Sequence, residues 1–331
     1  MKNFYLAIET SCDETCAAVI DSDGKILSNS VFSQANIHSQ FGGVLPDVAS
    51  KNHSEKIMII IENSLKSSNI KINNINKIFV TNGPGLINCL MIGVITAKTI
   101  GYVNKIPVYP INHIEGHIAS CFIENEITFP SVCLIVSGGH TNLYFISNLK
   151  NFKLIGSTID DAAGEAFDKG AKILGLGYPG GVLIDKLSTE GDINYHKFPI
   201  ANLGKKSLNF SFSGLKTSLK YYINKKNNWK KNINSIAASY QEAIVDSLLN
   251  KLILADNIYN PKSILIAGGV ACNSRLRFKT NEYFKNKKNV IIPSIQYCTD
   301  NAAMIAKRGQ QLVLNENVTN VDLNVFSTSK N

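Results

Sequence analysis

Two histidines give the first hint of chemistry in this chain. In "INHIEGHIAS", Ile111 to Ser120, His113 and His117 stand four apart in a short apolar run, out of 6 histidines in all. Four residues is about one helical turn, so a helix here turns both imidazoles to one face as a two-nitrogen platform for a metal. A third ligand is needed, and "CTDNAAM", Cys298 to Met304, offers Asp300 at the start of the last helical run, just after the strand pattern "NVIIP". Two histidines and one carboxylate leave coordination positions open, which suits catalytic iron or zinc better than a closed structural site. Glu115 falls two residues after His113, so neither the HExxH nor the HxxEH order is present and peptidase chemistry lacks its base. The plain alternative is a pair of buried structural histidines.

Three glycine-rich stretches come next: "SGGHT" (Ser137 to Thr141), "GLGYPGG" (Gly175 to Gly181) and "AGGVACN" (Ala267 to Asn273). Each falls at a strand or helix end, where glycine lets backbone N–H groups approach an anion and a helix N-terminus adds a favourable dipole. One such loop is ordinary; three in one half of the chain point to a nucleotide. Neither a GxxxxGK[ST] loop nor a GxGxxG following the first strand is present. In "IDDAAGEAFDKG" the acids Asp161, Glu165 and Asp168 sit at i, i+4 and i+7, one face of a helix, where like charges repel. Asp168 lies beyond the first turn, which suggests a carboxylate placed to accept from a ribose or amino-acid ligand. Finally, Gly204 to Lys231 holds eight lysines, five aromatics (Phe210, Phe212, Tyr221, Tyr222, Trp229) and no acid. Basic side chains interleaved with rings suit an RNA backbone and unstacked bases, although a solvated lysine-rich helix has the same composition.

The elements that must position these residues are legible as a duplication. Residues 4–9, 16–21 and 26–30 read as three strands joined by polar turns, and residues 132–137, 142–147 and 153–158 repeat that pattern 128 positions later. In each half a strand-to-helix junction follows: strand 77–81, "NGPG" and a helix from Leu86 to about Gly101, then strand 263–267, "GG" and a helix from about Asn273. The fold class expected is α/β, with two lobes, residues 1–125 and 126–331, an insertion at about 190–235, and a cleft between the lobes. One doubly wound sheet with added hairpins is the alternative.

With 331 residues, 44% hydrophobic and 18% charged, the composition is globular, and a net charge of +9 favours a polyanionic partner. No apolar run looks long enough for the ~18 residues of a membrane span, and the N-terminus turns acidic too early for a signal peptide. A cytoplasmic protein is expected. The seven cysteines contain no CxxC pair, so reduced thiols are expected; Cys12 and Cys16 as a redox or metal pair is the weaker reading.

The motifs "IETSCDET", "PDVASKNH", "TNGPGL", "NHIEGH", "VSGGHT", "DDAAGEAFDK", "YPGG", "FSFSGLKT", "AGGVACNSRLR" and "CTDNAAMIA" follow one another over residues 4–308, and their set resembles the TsaD family. These are tRNA N6-adenosine threonylcarbamoyltransferases, formerly called O-sialoglycoprotein endopeptidases. The resemblance implies an actin-like fold of the sugar kinase/Hsp70 superfamily, with duplicated βββαβα lobes. It implies transfer of the threonylcarbamoyl group of threonylcarbamoyl-AMP to N6 of adenosine 37 in tRNAs reading ANN codons (t6A formation). It assigns one divalent ion per subunit, Fe2+ ahead of Zn2+, to His113, His117 and Asp300. It assigns the adenylate to Val136, Ser137, Gly138, Gly139, His140, Asp168, Gly181, Asp185 and Asn273. Expected partners are the tRNA anticodon arm, an inactive TsaB-type paralogue and a TsaE-type P-loop ATPase. Asp13, in the first hairpin turn, is the candidate for taking the N6 proton. Two positions depart from the family pattern: Asn112 stands where many members carry a further histidine, and Asp47 replaces a usual Glu. An ATP-dependent kinase of the same fold, and an inactive binding partner, are the rival readings; the first needs no histidine pair and the second would lack it.

Overall fold

The computed structural model describes residues 2–314 and 323–327. Two compact units divide the chain: Met1–Asn125 together with Thr299–Asn331, and Glu126–Cys298.

The first unit begins with β1 (Phe4–Glu9), β2 (Glu14–Asp21) and β3 (Ile26–Ser33), an antiparallel meander. Helices α1 (Ala35–Ser39) and α2 (Pro46–Ser68) follow, then β4 (Ile75–Gly83), α3 (Ile87–Asn104), β5 (Val108–Asn112) and α4 (His113–Ser120). β4 lies parallel to β1, and β5 parallel to β4, giving the order β3-β2-β1-β4-β5. Tyr5 to Ile8 and Cys16 to Ile20 are almost wholly buried, as expected for strands covered on both faces.

The second unit repeats this plan. β6 (Ser131–Val136), β7 (Thr141–Asn148) and β8 (Asn151–Ser157) form the meander. Helices α5 (Ala163–Leu174), α6 (Gly180–Ser188), α7 (Ser213–Lys225) and α8 (Ile233–Tyr259) come next. Then β9 (Ser263–Ala267), parallel to β6, leads through α9 (Ser274–Phe284) to β10 (Asn289–Ile291). The order β8-β7-β6-β9-β10 matches the first sheet strand for strand.

The chain closes with α10 (Ala302–Leu314), and here the expected domain limits need correcting. Residues after 298, including Asp300, belong to the first unit and not to a second lobe running to the C-terminus. The reason is packing: α10 lies against α4, β1 and β2, and Gly309 approaches β4 so closely that a Cβ there would fall 2.3 Å from the Phe79 ring. A second correction concerns length. α3 has 18 residues and is apolar enough to match a membrane span by length and composition. Its Cys89, Leu90, Gly93, Val94 and Ala97 face is buried in the first unit, while Met91, Ile95 and Val103 on other faces are exposed.

Candidate metal centre and glycine-rich loops

The first unit's sheet order decides which residues meet. The carboxyl ends of β1, β4 and β5 lie side by side, so Glu9, Thr81 and the residue following Asn112 form a row. Asn112 caps α4: its side-chain oxygen accepts from the Ile114 N–H at 2.9 Å and the Glu115 N–H at 3.2 Å. The cap fixes where the helix starts, and with it the direction of His113 and, one turn on, His117. Their rings stand 4.7 Å apart, centroid to centroid, and nearly perpendicular at 82°.

Asp300, two residues before α10, completes the group. Its Oδ1 lies 3.6 Å from His113 Nε2 and 3.1 Å from His117 Nε2, and one donor atom from each residue falls within 4.8 Å of the others. Both ring nitrogens of His117 are buried without a well-formed hydrogen bond. Such orphaned nitrogens are costly unless something takes their lone pair, and a divalent ion between two imidazoles and a carboxylate would do so. The residues therefore fit a metal. Glu115, set aside above as a catalytic base, accepts from Arg308 Nε and Nη2, both at 2.7 Å, and so ties α4 to α10. That ion pair holds α10, which follows the aspartate, against the histidines' helix.

Further acids gather here that the sequence reading passed over. Glu9 is fully buried and accepts from the Ser11 N–H at 2.5 Å and the Thr81 hydroxyl at 2.5 Å, while His113 Nδ1 lies 3.2 Å from its Oε2. Burial favours the neutral acid, but the adjacent His113 and the Thr81 hydroxyl outweigh it and hold Glu9 below the usual carboxylate range. Burial likewise opposes charging of His113, yet Asp300 and Glu9 raise it to about 9. Glu14 is pushed well up by burial and by the charges of Asp13 and Asp300. The one available sequence signal was an acid ending the apolar strand "FYLAIE".

Asp13 is 8% exposed in the β1–β2 turn, and its carbonyl accepts from the Gln34 N–H. That turn is pinned by buried His53, whose Nε2 lies 2.9 Å from the Cys12 carbonyl and whose Nδ1 lies 2.8 Å from Thr15 Oγ1. Cys12 and Cys16 are free thiols, and burial pushes both well up, against a redox or ligand role.

The second unit holds all nine residues assigned to the adenylate. Val136 ends β6, and Ser137 to His140 form a turn in which the Ser137 N–H donates to the His140 carbonyl at 2.8 Å. Gly138 and Gly139 are exposed, with open space where side chains would stand. Two other glycines bring neighbouring backbone to this turn: a Cβ on Gly164 would meet the Ser137 carbonyl at 2.4 Å, and one on Gly268 the Val136 carbonyl at 2.4 Å. The α5 N-terminus and the "AGG" turn thus converge on the end of β6.

Three of the expected ligand contacts also have work inside the protein. Asp168 accepts from the Gly180 N–H at 2.7 Å, beside Gly181 at the start of α6. Asp185 accepts from Ser274 N–H at 3.0 Å and Ser274 hydroxyl at 2.7 Å. Asn273 caps α9 through the Leu276 N–H and donates to Gln241 Oε1 at 2.6 Å.

The acidic face expected on one helix does not form. α5 begins at Ala163, so Asp161 precedes it and pairs with Lys169 and Lys216, while Glu165 also pairs with Lys169. Asp160 binds the insertion, accepting from Phe212 N–H and the Ser211 hydroxyl. In the lysine-rich stretch Phe210 and Phe212 are buried at 1% and Tyr222 lies tilted against His196, so Tyr221, 61% exposed under Lys225, is the ring most open to solvent.

The model of the TsaD family, tRNA N6-adenosine threonylcarbamoyltransferase, matches residues 25–307. The chain belongs to that family. A TsaD-family protein of Clostridium novyi (strain NT), named tRNA N6-adenosine threonylcarbamoyltransferase, is 47% identical over 98% of this chain and 97% of its own. One of the same name from Geotalea uraniireducens (strain Rf4) is 45% identical over 97% of this chain and 94% of its own. Membership places the chain among tRNA-modifying transferases. Among solved structures, T. kodakarensis HypF superposes with a TM-score of 0.65 at 12% identity, over 95% of this chain and 48% of its own. Component A of the Acidaminococcus fermentans (R)-2-hydroxyglutaryl-CoA dehydratase gives 0.57 at 12% identity, over 94% and 99%. At that identity they speak for the fold alone, which is the two-lobed actin-like α/β fold.

Proposed function

We propose that this chain moves the threonylcarbamoyl group of threonylcarbamoyl-AMP to N6 of adenosine 37 in tRNAs reading ANN codons, in the cytoplasm. The observation that carries the reading is the convergence of His113, His117 and Asp300 in a member of the TsaD family. The exocyclic amine of adenine is a weak nucleophile because its lone pair is delocalised into the ring, so the acyl side must be activated. The mixed anhydride provides one activation, with AMP as leaving group. His113, His117 and Asp300 would hold a divalent ion, Fe2+ in preference to Zn2+. When bound, the ion supplies Lewis-acid polarisation of a substrate oxygen and offsets developing negative charge. The backbone of Ser137 to His140 and the 268–273 loop would hold the AMP portion through N–H donors. Asp13 would take the proton that N6 loses.

Adenosine 37 lies in a single-stranded loop, so unstacking it costs at most a few kcal/mol. Lys225, Lys226, Lys230 and Lys231 would grip the anticodon arm. Their joint replacement by Ala should weaken tRNA binding and reduce the salt slope by about 0.7 per lost phosphate contact, measured by titration at several salt concentrations. An inactive TsaB-type paralogue and a TsaE-type ATPase are the expected helpers. The deciding assay is modification of an adenosine-37 transcript with threonine, bicarbonate and ATP, adding the adenylate-forming enzyme and the helpers one at a time. Phosphorylation of a substrate from labelled ATP, with no t6A, would favour the kinase reading.

A further inference from the structure

We infer that Glu9 is a positioning residue for the metal centre, holding the His113 ring so that Nδ1 carries the proton and Nε2 presents its lone pair to the ion. The inference rests on the metal reading above and extends it to a residue with no assigned role.

The argument starts from the end of one strand. Glu9 closes β1, Thr81 lies near the end of adjacent β4, and His113 directly follows β5, so three neighbouring parallel strands deliver three polar groups to one buried row. A carboxylate there must be fully hydrogen-bonded or it would not remain charged. Both of its oxygens are supplied: Oε1 accepts from the Ser11 N–H, and Oε2 from the Thr81 hydroxyl. His113 Nδ1 is the remaining polar neighbour, 3.2 Å from Oε2, with Ser11 Oγ also 3.1 Å from that nitrogen. An ionised carboxylate only accepts, so Nδ1 is the protonated nitrogen. The other nitrogen, Nε2, is the one on the side of Asp300. An imidazole that ligates an ion is neutral and carries one proton, and fixing it on Nδ1 leaves Nε2 as the ligand atom; a carboxylate behind the ring also raises its donor strength.

The two histidines therefore differ. His117 has no such partner on Nδ1, which is buried without a hydrogen bond. His113 is the ligand with a polar partner behind it, and His117 is buried without one. A glutamine at position 9 matches the shape of Glu9 but puts an NH2 where an acceptor is required. Either it opposes the Ser11 N–H, or it donates to Nδ1 and drives the proton onto Nε2, blocking the ligand atom.

The test uses the full chain stripped of metal and titrated with Co2+ alone, following the cobalt absorption bands. Wild type should bind one ion per chain. Glu9→Gln should bind the same number with affinity 10- to 100-fold lower and bands of similar shape, as expected for loss of a partner behind a ligand. His113→Ala should lose the bands altogether. Unchanged Co2+ affinity in a folded Glu9→Gln protein overturns the inference and leaves the metal site standing. No binding by wild type overturns both. Should Glu9→Gln fail to fold, ring nitrogen NMR of the zinc-loaded wild type decides: zinc on Nε2 with a proton on Nδ1 of His113 supports the role, and zinc on Nδ1 overturns it.

Discussion

The two units share one topology and differ in what they place at the carboxyl ends of their matching strands. At the ends of β1 and β4 and just after β5 the first unit sets Glu9, Thr81 and His113, with His117 and Asp300 alongside. After β6 and β9 the second sets Ser137, Gly138, Gly139, Gly268 and Gly269, of which Gly138 and Gly139 are exposed and carry no side chain. Buried charge needs partners arranged in three dimensions, so the first site depends on helix caps and ion pairs such as Asn112 and Glu115–Arg308. The second unit's turns need only close backbone approach, which Gly164 and Gly268 grant. One scaffold thus appears twice, with different residue types at its strand ends.

The sharpest way to break that contrast is to remove a ligand. His117→Ala or Asp300→Ala should abolish metal retention and t6A formation while the circular dichroism stays native; normal turnover with no bound metal would sink the first half of the comparison. A smaller effect is expected on the other side. Gly164→Ala places a Cβ 2.4 Å from the Ser137 carbonyl, so the turn must shift at a cost of about 1–3 kcal/mol. Affinity for an AMP analogue should fall on the order of tenfold, with metal affinity unchanged; a matched fall in both would show that the two sites are not independent. The smallest effect concerns the support of the second site. Glu242, next to Gln241, is held below the usual carboxylate range against burial by Arg275 and Lys279. A depressed carboxyl contributes stability above its unfolded value of 4.5, and that contribution is lost as pH falls through the lower folded value. Glu242→Gln should therefore lower Tm by a few degrees at pH 7, and the gap should close in acid.

Strand ends and repeats were legible because they depend on local pattern. β9 falls on the residues expected, 263–267, and the histidine pair lies on a helix as its spacing implied. The actin-like fold follows from the duplication and the motifs, and the solved neighbours share it. What was not legible depends on registers between distant segments. Glu9 and His113 are 104 residues apart in sequence, and nothing local to either reports the other. Asp161 was misplaced on a helix face because spacing alone does not reveal that Lys216, 55 residues on, draws it off. Phe210 and Phe212 looked available to bases until packing buried them.

The return of residues 299–314 to the first unit has a consequence for synthesis on the ribosome. The second unit is an uninterrupted stretch, 126–298, and can fold as soon as it emerges. The first unit begins earlier but waits for its closing helix until almost the entire polypeptide has been made. A product ending just after residue 298 would carry a complete second unit and a histidine pair still missing its acidic partner.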